Sequence, residues 1–393
     1  MDWSTKFAKR SRRIQPSVIR EILKLTQKSQ VISFAGGLPA PSLFPTQRIQ
    51  EMMEKVLSEK GAEALQYSTT EGYLPLREWV AKRFSVPASQ VQIVSGSQQG
   101  LDLIAKIFFD PGDHIIVANP TYMGALRAFD PYEVNYLAVD CDEEGFLPDA
   151  LEAALKQGAK MIYALANFDN PTGITMSLAR RKSLIALAER YNVPILEDDP
   201  YGELRFKGEF LPSLYALAPH QVIHASTFSK IMVPGFRLAW VIAAPSVISL
   251  LERSKQAADL HTATITQMVA YEVSKDGFME EQISNVRDYY GKQRDMMLKA
   301  MERHFPKEIH WTKPEGGMFL WVTLPRGLDS LALLETAVKD YQVAYVPGSP
   351  FHANGGGENT LRLSYSVATA EQVETGIAKL GKVFTEALNL QPA

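Results

Sequence analysis

The sequence has one cysteine, Cys141, which excludes an internal disulfide and a zinc ribbon. Its seven histidines show no ligand spacing and no H-E-x-x-H occurs, so no metal site is expected. Long hydrophobic runs are missing too. The longest, residues 238–251, is broken by Pro245, Ser246 and Ser249 and is too short to cross a bilayer. Nor is there an excess of one charge. Lys and Arg number 41 against 44 Asp and Glu, and a net charge of −3 gives no global field for nucleic acid. One basic cluster, residues 6–13, reads as a solvated arm, with a transit peptide or a phosphate-binding arm as the other readings. No signal-peptide pattern is visible. A cytoplasmic protein is expected, with no membrane and no nucleic-acid partner.

What is present is 393 residues, enough for two or three units of core. The middle of the chain alternates short apolar runs with helical patterns. Strands are expected at 91–94, 114–118, 161–165, 193–196, 222–225 and 238–243, with helices near 98–109 and 178–191. Strands separated by helices imply crossover units and a mostly parallel sheet. The last third differs. A long polar helical stretch at 278–304 precedes apolar runs around 316–322 and 360–365, which suggests a smaller α+β unit. A helix near 16–27 is expected to pack with that unit. The expected division is 1–40 as an N-terminal arm and helix, 41–285 as a large domain and 286–393 as a small one.

Five polar clusters each follow an expected strand. They are "SGSQQG" at 95–100, "NPTY" at 119–122, Asn167 with "NPTG" at 170–173, "EDDPY" at 197–201, and "STFSK" at 226–230. In open parallel sheets ligands bind outside the carboxyl ends of the strands, so the five converge on one rim. Singly, each has a plain reading beside the functional one. Ser97 is a helix N-cap or a phosphate contact. Asp198 and Asp199 are turn caps or site carboxylates. Tyr122 and Tyr201 are rim aromatics or ring contacts. The Rossmann spacing is absent and no Gly-Lys-Ser/Thr follows "SGSQQG", so a nucleotide P-loop is excluded.

Lys230 is harder to dismiss. It stands at a strand end beside Ser229, with Arg237 close in sequence and no carboxylate nearby. Two uncompensated cations in a core would cost on the order of several kcal/mol each. A ligand phosphate paired with Arg237 would supply the missing anion. Desolvation and a neighbouring cation lower a lysine pKa and free the amine to attack an aldehyde. Phosphate, lysine amine and carboxylate together match one cofactor, pyridoxal 5′-phosphate, with its Schiff-base lysine and acidic partner for the pyridine nitrogen.

With these residues in order, the chain resembles the fold-type I pyridoxal-phosphate aminotransferases of class I/II over nearly its full length. "NPTG", "EDDPY" and "SK…PGFRLAW" carry the likeness together. The segments "RIQPSVIREILKLTQ", "ISFAGGLPAPSLFP", "LQYSTTEGYLPLR", "SGSQQGLDL" and "FHANGGGENTLRLSYS" resemble 2-aminoadipate and kynurenine/2-aminoadipate aminotransferases.

The resemblance implies an α/β fold, with a mostly parallel seven-stranded sheet in the large domain and a smaller α+β domain. It implies that Lys230 carries the cofactor, Asp198 pairs with the pyridinium nitrogen, and Tyr201 and Asn170 reach the ring O3′. Tyr122 would stack on the ring. Ser97, Gln98, Thr227, Ser229 and Arg237 would surround the phosphate. Tyr67 would reach the neighbouring subunit's phosphate, which makes a homodimer with shared active sites. Arg362 would clamp the α-carboxylate of the substrate, helped by backbone at Gly36 and Gly37. Arg20 would meet a distal carboxylate; read alone, it is equally a solvent-facing helix residue.

Two departures are mild: Thr227 stands where many relatives have serine, and "STTEGY" replaces "SPTEGY". The implied activity is ping-pong transamination. An amino acid (2-aminoadipate, glutamate, or an apolar one such as leucine or an aromatic) would donate to 2-oxoglutarate or another 2-oxo acid. An aromatic, branched-chain or kynurenine aminotransferase is the nearest alternative. More distant are a lyase or decarboxylase on the same cofactor and an aminotransferase-like regulator. The regulator needs a DNA-binding domain, and none is expected before residue 16.

Overall fold

The computed structural model describes residues 1–14 and 31–390. The helix expected near 16–27 and Arg20 lie outside the described residues.

The large sheet is built from β1 (Val91–Val94), β2 (His114–Asn119), β3 (Asn135–Asp142), β4 (Gly145–Phe146), β5 (Ala159–Ala164), β6 (Ile195–Asp198), β7 (Val222–Thr227) and β8 (Ala239–Ile242). Their order is β1-β8-β7-β6-β5-β2-β3-β4. From β7 to β3 the pairs are parallel. β8 runs antiparallel to both β7 and β1, and β4 folds back on the end of β3. The sheet therefore has eight strands; the one beyond the expected seven is the two-residue β4. The β1, β6, β7 and β8 runs are buried throughout, which is how a sheet covered on both faces reads in sequence.

Two differences from the sequence reading have physical causes. β3 was not expected, because only Val139 along it is buried and the apolar alternation is weak. β6 begins two residues later than 193, because Pro194 has no N–H for the ladder. The shift carries Glu197 and Asp198 into the strand itself. On one face Glu197 is opposite His224 of β7. Its carboxylate lies 3.0 Å from His224 Nδ1 and accepts the backbone N–H groups of Leu214 and Tyr215 at 2.7 and 3.0 Å. A buried charge needs such partners. The strand's period of two then turns Asp198 to the opposite face.

A second sheet has the order β9-β10-β12-β11, all antiparallel: β9 (His310–Trp311), β10 (Phe319–Thr323), β11 (Val346–Pro347) and β12 (Thr360–Ser364). Beside it lie the helices Phe278–His304 and Ala370–Asn389, which pack on each other. The first has the expected bounds. The second opens on a capping box formed by Thr369 and Gln372. Near the N-terminus, Ile32–Ser33 pairs in parallel with Val343–Ala344. Phe34 continues the stitch, donating to Ala344 O and accepting from Ser364 N, both at 2.8 Å.

Candidate active site

At the carboxyl ends of the parallel strands opens a cavity of about 730 Å³. Its lining includes Ser97, Gln98, Tyr122, Asn170, Asp198, Tyr201, Thr227, Ser229, Lys230, Arg237 and Arg362, with Gly36 and Gly37. Every residue to which the resemblance gives a site role, within the described range, is there except Tyr67. That side chain is 78% exposed and lies edge-on to His261 at 5.9 Å.

One end of the cavity is made for an anion. Helix α1 (Ser97–Phe108) starts directly behind β1. Its first-turn N–H groups have no intrahelical acceptor, and the helix dipole adds positive potential there. Gly96 precedes it with φ of 90°, and a Cβ there would sit 2.2 Å from Arg237 Nη2. Only glycine lets the guanidinium lie so close to the turn. Thr227 Oγ1 donates to Leu238 O at 3.0 Å, accepts the Ser229 N–H at 3.0 Å and lies 2.9 Å from Ser229 Oγ, so both hydroxyls are held at the rim. Behind the turn, Gln99 Oε1 accepts the Ser95 N–H at 2.7 Å and Lys255 Nζ at 3.0 Å. Lys255 is fully buried, but Asp259 compensates it at 2.7 Å.

Among the described residues, Lys230, Arg237 and Arg362 show hydrogen bonds to neutral acceptors in place of such an ion pair. Lys230 Nζ donates to Gly37 O at 2.9 Å. Arg237 Nη1 donates to Pro234 O at 3.3 Å. Arg362 donates to Asn170 Oδ1 at 2.7 Å and to Ala35 O at 2.9 Å. All of these acceptors are neutral carbonyl oxygens. Arg362 is 1% exposed, stacked on Phe319 at 4.2 Å, and its Nε has no partner among the described residues. Burial lowers its pKa to about 10. Leaving the buried Arg362 charge without an anion is unfavourable, and exposed Arg237 lies beside the Gly96 turn with the N–H groups of α1, so the site fits a carboxylate at the first and a phosphate at the second.

The opposite wall fits a ring with an N–H. Asp198 Oδ2 accepts the Tyr163 hydroxyl at 2.8 Å, whereas Asp198 Oδ1 is buried with no partner among the described residues. Burial pushes the Asp198 carboxyl up to about 7. A cationic N–H beside Oδ1 would satisfy the oxygen and favour the ionised form. The side chain of Asn170 is also hydrogen-bonded to the Tyr201 hydroxyl, and the Tyr201 ring is edge-on to Phe319 at 5.8 Å. Tyr122 lies against Gly124, where any Cβ would be 2.3 Å from its ring. Lys230 faces this space. Burial first, then Arg362 and Arg237, lowers its pKa to about 8. Pyridoxal phosphate is therefore compatible with the residues present, phosphate toward α1 and pyridine nitrogen toward Asp198.

Sequence reasoning treated Asp198 and Asp199 as a pair, and the structure separates them. Asp199 Oδ1 accepts from Asn167 at 3.1 Å and does not line this cavity. Missed altogether were Tyr163, Phe319 and Arg127. Phe319 and Arg127 line the cavity. Tyr163 had a strand pattern but no motif to single it out.

Comparison with known proteins agrees. The aminotransferase class I and II family pattern matches residues 40–380. A 2-aminoadipate transaminase of Thermus thermophilus is 45% identical, covering 99% of both chains. An aromatic-amino-acid aminotransferase of Thermococcus litoralis is 44% identical, covering 98% of this chain and 95% of that one. The crystal structure of the Thermus thermophilus α-aminoadipate aminotransferase LysN, complexed with N-(5′-phosphopyridoxyl)-L-leucine, superposes with a TM-score of 0.95 over 100% of both chains at 44% identity. This chain belongs to the class I and II aminotransferase family and is a pyridoxal-phosphate-dependent aminotransferase.

Proposed function

We propose that the enzyme moves the amino group of 2-aminoadipate or glutamate to a 2-oxo acid, chiefly 2-oxoglutarate, and does so in the cytoplasm as a homodimer. The observation that carries the reading is one cavity in which half-buried Lys230, exposed Arg237 and buried Arg362 bond to neutral oxygens and face the buried Asp198 Oδ1. Pyridoxal phosphate, when bound, supplies an aldehyde for amines and an electron-withdrawing ring. The chain does the rest.

Ser97, Gln98, Thr227, Ser229 and Arg237 hold the phosphate, with charge-assisted bonds from the guanidinium. Asp198 Oδ1 holds the proton at the pyridine nitrogen. Tyr201 and Asn170 bind the ring oxygen, and Tyr122 covers the ring. Arg362 takes the substrate α-carboxylate in its planar fork, which places Cα over the Lys230 amine. Lys230 would take the Cα proton of the substrate on Nζ, hold it there and give it up again as the acid. Acid–base assistance of this kind is worth roughly 10²–10⁴-fold. Tyr67, exposed and outside its own protomer's cavity, is free to enter the partner's site at the phosphate.

The lowered lysine pKa gives a pH signature. Nζ is charged and unreactive below about 8 and is a free amine above it. Capture of pyridoxal phosphate by apoenzyme should accelerate about tenfold per pH unit below that value and level off above it. Stopped-flow absorbance would read this; a rate flat from about pH 6 to about pH 9 contradicts it.

The likeness to an aromatic-amino-acid enzyme, as high as that to the 2-aminoadipate one, favours aromatic donors as the second reading. An amino-donor panel with 2-oxoglutarate, read as kcat/KM, decides between them. Arg20→Ala should lower kcat/KM for 2-aminoadipate and glutamate by about tenfold or more, the worth of a charged hydrogen bond, and spare leucine. Equal losses for all three donors would remove the selective role of Arg20.

A further inference from the structure

Asp198 reaches the cavity with its two oxygens in different states. Oδ2 is tied to the Tyr163 hydroxyl at 2.8 Å, and Oδ1 is buried and open. We propose that Tyr163 is a positioning residue: it locks the Asp198 carboxylate so that Oδ1 alone is presented to the pyridine nitrogen. This deepens the transaminase reading above and rests on it.

The placement follows from strand register. Tyr163 of β5 pairs with Leu196 of β6, so Tyr163, Leu196 and Asp198 share one face of the sheet. Asp198 is the diagonal neighbour of Tyr163, within reach of a long side chain. The phenol ring is fully buried and lies edge-on to Phe129 at 5.6 Å, which leaves it little freedom to turn. Burial and the adjacent carboxylate raise the phenol pKa well above its ordinary value, so Tyr163 stays a donor across the working pH range.

The other ionisable groups acting on Asp198 sit elsewhere. Asp199 is next in the chain, and His224, on β7, is bonded to Glu197. Tyr122 faces it across the cavity. Tyr163 is the hydrogen-bond partner recorded for the carboxylate.

A carboxylate fixed through one oxygen cannot rotate to offer the other. Without the phenol, Oδ2 loses its donor and the carboxylate binds a proton more readily, because a bond to the charged form lowers its pKa. The ring nitrogen would then meet a looser and less ionised partner. Substrate contacts at Arg362 and Asn170 would be untouched.

Tyr163→Phe keeps the ring packing and deletes the donor. A borohydride-reducible linkage at Lys230 should still form; its loss in the wild-type enzyme would instead count against the transaminase reading itself. In the variant, the dissociation constant for pyridoxal phosphate should rise about tenfold, as for a lost hydrogen bond to a charged group. The visible absorbance of the bound cofactor should titrate at a shifted pH, and kcat should fall while KM for the amino donor stays within about twofold.

In an Asp198→Asn background the same substitution should change cofactor affinity by less than about twofold, because coupled partners are non-additive. Additive losses, or an affinity, absorbance titration and kcat all equal to wild type, overturn the proposal. If the phenylalanine variant does not fold, Tyr163→His covers the case. It keeps a ring N–H of different reach and acidity, and an unmoved absorbance titration there also overturns it.

Discussion

Lys230→Ala is expected to abolish sustained turnover, lowering kcat by roughly 10²–10⁴-fold, and to remove the borohydride-reducible cofactor linkage. Lys230 Nζ lies among groups that disfavour its charged form. Its recorded acceptor is the Gly37 carbonyl, and Arg237 and Arg362 are close enough to lower its pKa to about 8. An amine kept near neutrality by its surroundings is a nucleophile and a proton carrier. Alanine supplies neither. Lys230→Arg separates charge from chemistry, because it keeps the cation and cannot give up its proton near neutral pH. Both variants should therefore fail alike. Steady-state kcat and peptide mass after borohydride reduction are the measurements. Near wild-type turnover in either variant would dismiss Lys230 as the reactive amine.

Arg362→Ala is expected to lower kcat/KM for both the amino donor and the oxo-acid acceptor by about 10²–10³-fold, the range for truncating one partner of a buried charge pair. Both fall because donor and acceptor carry the same carboxylate beside the reacting carbon. The loss has two sources. The fork itself disappears, and Asn170 Oδ1 and Ala35 O lose their donor, which loosens Asn170 beside Tyr201. Arg362→Lys should recover only part of the activity, since a point charge cannot bind a carboxylate through two parallel bonds. Cofactor affinity should change little, because the proposed phosphate contacts are Arg237 and the start of α1, not Arg362. If only one of the two substrates is affected, or if cofactor binding falls in parallel, Arg362 is not the α-carboxylate clamp.

Much of the site could be read from the chain because its residues sit in loops with turn chemistry. Gly96, Asn170-Pro171-Thr172-Gly173 and Pro234-Gly235 mark places where the backbone must bend, and the polar residues beside them had no core to serve. Strand ends were legible for the same reason. What stayed hidden lies inside regular structure. Tyr163 occupies a strand position like any other buried aromatic, and its hydrogen bond to Asp198 depends on register between strands far apart in sequence. The Glu197–His224 pair is likewise a matter of register. Lys255 and Asp259 show as an ordinary helical i, i+4 pair, and only packing shows that Lys255 is buried behind the Gly96 turn. β3 escaped notice because its burial is too shallow to leave a pattern.

The parallel ladder of Ile32–Ser33 with Val343–Ala344, with the Ser364 N–H donating to Phe34 O, ties residues 31–37 to the second sheet, far from them in sequence. Ala35 grips Arg362, and two residues later Gly37 grips Lys230. One short ribbon thus has a hand on each of the two cations, one from each sheet. A displacement of the smaller sheet relative to the larger would pull on that tether at its Lys230 end, and would couple the proposed carboxylate clamp to the proposed reactive amine.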